Sequence, residues 1–458
     1  MLTKTLIQHI HQISWNKLPS VIQNRTGDLL IDHIAVTLNG ATRPWSKMVR
    51  MNAESEMGEP QSTVYGFGAL PARAAALVNG CAAHAIEFDD THDESLGHPG
   101  AVVMTTAMAM GEALNSGGSE ILEAIVAGYE IQCRVGAAAG RQAFESGFHP
   151  TSTVGVFGAV TAAGRLLNLS TDQLEKAFGI ALSTASGTLQ FSEDPLNTMV
   201  KRLHAALPAA NGIWAAQLAS RGFTGPSMAI EGNFGYINQF SKDVNLNRIT
   251  QDLGSHWEIG RISIKLYPCC KQFHALIDAT RICLSREKFN VSDIESIEAF
   301  GPESMFDSHM ERRPQSTMAA QYSLPFTAAV AIASDPTDPN SFSESQWSRE
   351  DILRLSDLVT TRVDIRLQDV YPRKFAGGIM IRLKDGREIS EAVIDSRSSP
   401  ENPISREEVI VKFKTLTQTI LDDSQRDQIL KATLAQKHDG TPRLLGSKLR
   451  GILSSEVA

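Results

Sequence analysis

The run Glu87-Phe-Asp-Asp-Thr-His-Asp-Glu-Ser-Leu-Gly-His98-Pro99 concentrates carboxylates, hydroxyls and two imidazoles in one short stretch of chain. Imidazole suits proton transfer near neutral pH, and a carboxylate can hold a neighbouring base or cation in place. The run lies between two stretches of small apolar residues, 70–86 and 100–112, which read as buried helices packed closely through Ala and Gly. A polar link held between two tight helices tends to open into a cleft, so the run reads as an active-site loop rather than a capped, solvated turn.

Other polar residues are embedded in apolar or glycine-rich text. His149 lies in Gly147-Phe-His-Pro-Thr-Ser-Thr-Val-Gly-Val-Phe-Gly158, the glycine- and hydroxyl-rich start of a helix, where backbone N–H groups can face an anion. Lys201 opens a helix of small residues, Lys201-Arg-Leu-His-Ala-Ala-Leu-Pro, and Lys265 ends a strand before Leu-Tyr-Pro-Cys-Cys. Tyr322 sits in Gln-Tyr322-Ser-Leu-Pro, and His274, in Lys271-Gln-Phe-His274, is expected to face the same cleft from a smaller unit. Taken singly, each has a plainer reading: a solvated lysine, a satisfied histidine, a helix-core tyrosine. His84 and His204, on small-residue helices, read as core histidines.

Asp89, Asp90, His92, Asp93 and His98 are residue types that ligate metals, but their spacing fits neither an EF-hand nor a zinc pattern, so no metal is expected. Gly66-Phe-Gly68 lacks the third glycine of a dinucleotide loop, and no Walker loop or Gly-x-Ser-x-Gly elbow occurs. The vicinal Cys269-Cys270 pair reads as packing.

The elements that must position these groups fall into two kinds. Apolar spacing predicts helices near 20–39, 71–87, 100–116, 118–140, 153–168, 171–188 and 200–221, with caps at Ser170 and around 118–123. From about residue 255 alternation predicts strands at 257–267, 294–300, 361–367, 378–383 and 387–394, the last two joined by an Asp-Gly hairpin turn. Helices near 271–285, 316–334 and 347–358 lie between them, and helical text returns at 405–418 and 423–435. The chain therefore reads as mainly α: a helical domain from residues 1–264 and 402–458, with a smaller α+β domain, 265–401, inserted between.

Composition agrees with a globular chain: 458 residues, 42% hydrophobic and 21% charged. A formal net charge of -8 argues against nucleic acid as the main partner, yet leaves room for a local cationic site that takes a small anion. The N-terminus has helical spacing rather than a secretory pattern, and no apolar run reaches the roughly 18 residues of a membrane span. Five cysteines without paired spacing suggest reduced thiols, so a soluble, cytoplasmic protein is expected.

The ordered set of Asp-Asp-Thr and His98-Pro, then Gly-Phe-His149-Pro, then Lys201-Arg-Leu-His-Ala with Asn-Gly, then Lys265-Leu-Tyr-Pro resembles the MmgE/PrpD family from roughly residue 5 to 440. That family includes 2-methylcitrate dehydratase, cis-aconitate decarboxylase and iminodisuccinate epimerase. The resemblance implies a helical domain built from both chain ends, an inserted lid, a homodimer, and catalysis without a metal or organic cofactor. It also implies a pocket made of Glu87, Thr91, His98, His149, Lys201, Lys265 and Tyr322. Two departures stand out. Glu87 replaces an aspartate of the decarboxylase branch, and the segment from Thr91 to His98 is one residue longer than Thr-Trp-His-Pro-Ala-Thr-His.

The expected chemistry is proton transfer at a carbon next to a carboxylate of a small di- or tricarboxylic acid. His98 and His149 would move the proton, Lys201 and Lys265 would steady the anion, and Tyr322 would orient the substrate or donate a second proton. Glu87, Thr91 and His274 would complete the binding set. The outcome is a hydro-lyase or decarboxylase, with a dicarboxylate epimerase as the alternative and a non-catalytic polycarboxylate binder as a third reading.

Overall fold

Small residues dictate how the first part of the chain assembles. In the computed structural model, which describes residues 1–56, 58–194, 198–306, 310–436 and 442–453, the main helices are α1 (Ser20–Ala41), α2 (Ala72–Ala83), α3 (Pro99–Leu114), α4 (Gly118–Ala139), α5 (Gly155–Leu166), α6 (Thr171–Leu182) and α7 (Leu203–Ser220). Residues 99–112 of α3 are all buried, as expected for a helix that is apolar on every side. Each of Val102, Val103 and Met104 contributes about 1.5–3 kcal/mol by its burial. Helix α7 packs on α2, α3, α5 and α6. Its approach to α2 requires glycine: a methyl group at Gly80 would lie 2.9 Å from Ala206 Cα. Ser170 caps α6, its hydroxyl accepting the Gln173 N–H, while α4 starts at Gly117, whose N–H donates to Glu120 at 2.7 Å.

After the two-residue strands β1 (Thr91–His92) and β2 (Ile262–Ser263), the chain builds a four-stranded sheet. Its strands are β3 (Ile294–Gly301), β4 (Val359–Val363), β5 (Gly377–Leu383) and β6 (Glu388–Val393), in the order β4-β3-β5-β6. Strands β3 and β4 run parallel, with Ile297 opposite Val359, and the other pairs are antiparallel. The β5–β6 turn holds Gly386 at φ +89°, which glycine adopts without a Cβ penalty. Helix α8 (His274–Arg286) covers β5 and β6 and packs on α9 (Leu324–Ala333), which packs on α10 (Glu350–Asp357).

The helices expected at 71–87 and 171–188 are shorter, stopping at Ala83 and Leu182, and three further elements differ in kind from the sequence reading. Residues 257–267 do not form a long strand: Glu258–Arg261 is a 3-10 turn and only Ile262–Ser263 is extended, because Glu258 is buried in an ion pair with Arg248 and against the His92 ring, 3.2 Å from its Nε2. The strand expected at 361–367 stops at Val363, where Asp364 accepts the Arg366 N–H and starts a helical turn. The helix expected at 316–334 breaks into Thr317–Gln321 and α9, since Pro325 lies in the first turn of α9 and Ser323 caps the Phe326 N–H.

Apolar packing divides along the chain. One core draws on residues between Leu6 and Ile264 together with Ile404 to Leu449; a second draws on Tyr267 to Ile389. Helix α11 (Arg406–Thr417) returns to α1, tied by Lys412 to Asp32 at 2.6 Å, Arg406 to Asp28 at 2.6 Å, and Asn39 to the Leu416 carbonyl at 2.9 Å. Residues 437–441 and 454–458 of the expected C-terminal portion lie outside the described residues. Among the described residues no helix is long and apolar enough to cross a membrane.

Candidate active site

The loop after α2 is fixed at several points. His84 caps the end of α2, and Glu87 follows with φ +57°, a left-handed conformation uncommon for a residue with a side chain. Strand β1 (Thr91–His92) pairs antiparallel with β2 (Ile262–Ser263), two residues before Lys265. This short ladder ties the acidic loop to the lysine that must face it. At the other end His98 caps α3, and its N–H donates to Thr151 Oγ1 at 3.0 Å. Asp90 accepts the Gly100 N–H at 2.8 Å and the Tyr129 hydroxyl at 2.6 Å, and a methyl group at Gly100 would meet both groups at 2.7 Å.

Glu87 is the centre of a buried cluster of cations. Its Oε1 contacts Lys201 Nζ and lies 2.8 Å from Arg202 Nη1; its Oε2 lies 3.2 Å from Lys265 Nζ and accepts the Tyr322 hydroxyl at 3.3 Å. Burial alone would raise the Glu87 carboxyl, but Lys201, Lys265 and Arg202 overcome it and hold it well below the usual range. Burial, which Glu87 only partly offsets and Arg202 reinforces, brings Lys201 down to about 8. For Lys265 burial acts in the same direction, and Glu87 with Asp89 outweighs it, so the ammonium sits above its ordinary value. Three cations share one carboxylate here. The site therefore keeps positive charge for an incoming anion, in surroundings where such charge acts strongly.

Beside this cluster stand four imidazoles. Asp89 Oδ2 is 2.7 Å from His84 Nδ1 and 3.1 Å from His98 Nδ1, the second contact out of line for a hydrogen bond. His149 Nδ1 lies 3.0 Å from His204 Nδ1, and Phe191 packs edge-on against both rings. Burial lowers all four: His84 to about 3 and His204 to about 4, with His98 and His149 also below the ordinary value. Neutral imidazoles of this kind accept protons or ligate metals, and ring nitrogens of His84, His98 and His149 fall within 4.8 Å of one another. The ammonium groups of Lys201 and Lys265 nearby oppose a bound cation. The acids of the loop do not converge as a metal site either: Asp90 faces Tyr129, and Asp93 accepts from Thr91 and Ser263, each at 3.1 Å.

A cavity of about 110 Å³ collects Glu87, Thr91, His98, His149, Lys265 and Tyr322 on its walls. Lys201 stands behind it in contact with Glu87. His274 departs from its expected place: it is fully buried at the start of α8, its ring edge-on to Tyr267 at 5.0 Å, and it is not a wall residue of this cavity. Lys271 and Gln272 take that side of the cleft instead. A larger cleft of about 440 Å³ near Trp15 and Lys431 has no comparable grouping of acids and bases.

Sequence reasoning missed Arg202, which adjoins Lys201, and Gln321, which accepts from Arg202 at 3.1 Å and donates to the Ile86 carbonyl at 2.9 Å. His84 and His204, read as core histidines, are buried as expected, and both stand beside this cluster. The usable signal was position: His204 is one turn after Lys201, and His84 is three residues before Glu87.

The chain matches the MmgE/PrpD N-terminal domain over residues 4–249 and the MmgE/PrpD C-terminal domain over residues 267–436. The cis-aconitate decarboxylase of Aspergillus terreus is 27% identical over 452 residues, covering 93% of this chain and 91% of the relative. The mouse (Mus musculus) enzyme of the same name is 26% identical over 435 residues, covering 90% and 86%. The human (Homo sapiens) one is 25% identical over 476 residues, covering 100% and 96%. With both domains matched across nearly the whole chain, this protein belongs to the MmgE/PrpD family.

Proposed function

We propose that the protein is a lyase of small di- or tricarboxylic acids that works by proton transfer at a carbon next to a carboxylate, using its own side chains alone. The observation that carries this reading is the convergence of Lys201, Arg202, Lys265 and Tyr322 on Glu87 beside a cavity walled by His98 and His149. Removing the acidic C–H of such a substrate builds negative charge on the adjoining carboxylate. The lysines stabilise that charge where it develops, and enclosure strengthens their effect. His98 moves the proton, His149 is the second proton carrier, Thr91 orients a carboxylate or hydroxyl, and Tyr322 orients the substrate or supplies a proton.

The anion so formed has two outcomes, loss of β-hydroxide or reprotonation on the opposite face; in the third reaction, decarboxylation, no C–H is removed, and the C–CO2 bond breaks with its electron pair shifting the double bond as one proton, given by an imidazole, adds at the far alkene carbon. The named relatives favour decarboxylation of cis-aconitate, with dehydration of a 2-methylcitrate-like acid next. Glu87 in place of the decarboxylase-branch aspartate carries its carboxylate on an arm one methylene longer, which bears on the substrate geometry, and epimerisation of a dicarboxylate such as iminodisuccinate is the alternative. Incubation with 2-methylcitrate, cis-aconitate and iminodisuccinate in deuterated water, followed by NMR, separates them. Loss of water, loss of CO2 and deuterium at an inverted centre are the three signatures. Binding without deuterium exchange in any of the three overturns the enzymatic reading in favour of a polycarboxylate binder.

A further inference from the structure

We propose that Asp89 is a positioning residue that sets the tautomer and aim of His98, and that His84 is its companion, holding the same carboxylate oxygen from the other side; the role rests on the lyase reading above. Three separate backbone positions meet at Asp89 Oδ2: the end of α2 through His84, the loop through Asp89, and the start of α3 through His98. The two Nδ1 atoms stand 2.7 and 3.1 Å from that oxygen, and all three side chains are buried. A buried carboxylate is sustained by partners rather than by water, and an ionised one only accepts hydrogen bonds. Each ring therefore carries its proton on Nδ1 and leaves Nε2 with the lone pair.

The two rings then differ by location. His98 is on the cavity wall and His84 is not, and His84 Nε2 is buried without a hydrogen-bond partner. His98 Nε2 is accordingly the nitrogen that takes or returns the substrate proton, while Asp89 stays ionised and no proton passes to it. His84 makes this division hold. A carboxylate that already accepts from one imidazole is a weaker base, so a proton gained by His98 remains on the ring. The misaligned His98–Asp89 contact belongs to a substrate-free site, where hydrogen bonds of this kind are commonly loose and tighten in the reacting complex. The charged and titratable groups that face His98 are Asp89, Lys265, Lys201, His84 and His149. Among these Asp89 supports the protonated ring and the two lysines oppose it.

The test uses full-length protein labelled with 15N at the histidine rings, with His98→Asn to assign the signal. In the wild type His98 is expected as the Nδ1–H tautomer. In Asp89→Asn the tautomer should move towards Nε2–H, and the His98 titration should shift to lower pH. The limb of the kcat/KM profile that His98 governs should shift the same way, whether His98 acts as acid or base. kcat should fall about 10²- to 10⁴-fold with KM little changed, as for loss of the orienting carboxylate in other base-dependent enzymes. His84→Gln should give a smaller loss and leave the Nδ1–H tautomer in place. A wild-type Nε2–H tautomer overturns the proposal without any variant, so a misfolded Asp89→Asn protein does not shelter it. An Asp89→Asn protein with unchanged tautomer, limb and kcat overturns it as well. If the wild type turns over none of the polycarboxylates yet shows the expected tautomer and shift, the lyase reading fails and the arrangement of Asp89 and His98 stands.

Discussion

Glu87 is the residue on which the charge balance of the site depends. Its replacement by Gln leaves Lys201, Arg202 and Lys265 buried without their shared counter-charge, and removal of one partner from such a group costs about 3–5 kcal/mol. Urea unfolding of Glu87→Gln should register that loss, whereas Glu87→Asp should keep the fold and change the substrate preference. Lys201 gives a pH prediction with a definite sign. With its pKa near 8, the ammonium is charged below that pH and neutral above it, so kcat/KM for a polycarboxylate should fall as pH rises through about 8. Lys201→Arg keeps the charge and should carry the fall to higher pH; a wild-type profile that stays flat well above this range removes Lys201 from anion binding. These residues were legible in the sequence because a polar type in apolar text is conspicuous. Arg202, His84 and His204 were not, because their role depends on which side of a helix faces the loop, and small-residue helices such as α2 and α7 have no polar face to give a direction.

At the scale of elements, the start of α3 shows how the loop is set. Asp90 is raised to about 7 by burial, which outweighs the lowering by its hydrogen bonds from Tyr129 and Gly100, with smaller upward pushes from the Asp89 and Asp32 charges. The unfolded chain loses this proton near 3.8 and the folded chain keeps it to about 7, so the folded state binds more protons between these values and this residue's contribution to stability declines as pH rises through the window. Asp90→Asn should flatten that decline in a denaturation series taken across the same range, and an unchanged slope would place the titration elsewhere. Gly100→Ala forces a methyl group against Asp90 and Tyr129 and should destabilise by about 1–3 kcal/mol, with lower turnover as His98 shifts. Helix periodicity and the Asp-Gly hairpin were readable because each is written locally in the sequence. The stretch 257–267 was not, since its alternation resembles a strand while the buried Glu258 ties it to Arg248, ten residues earlier, and to His92 in a distant part of the chain.

For the whole molecule, α7 carries the argument furthest. It is made mostly of small and apolar residues and packs inward on four helices, yet Leu207 and Trp214, two turns apart on one side, are each 42% exposed. Met199 and Val200, just before Lys201, are exposed as well, and so are Met48 and Met51 on the helix Pro44–Glu54, which packs on α2 next to α7. Side chains of this kind on a chain of net charge -8 suit an apolar, self-complementary contact between two copies related by a two-fold axis. The expected state is a homodimer with this face at its centre, covering the segment that presents Lys201 to Glu87. Light scattering after size-exclusion chromatography should give twice the chain mass for the wild type. Leu207→Glu with Trp214→Glu should give a monomer with reduced turnover, since Met199 and Val200 would return to solvent beside Lys201. A wild-type monomer at micromolar concentration, or a double variant that remains dimeric, assigns this face to another role.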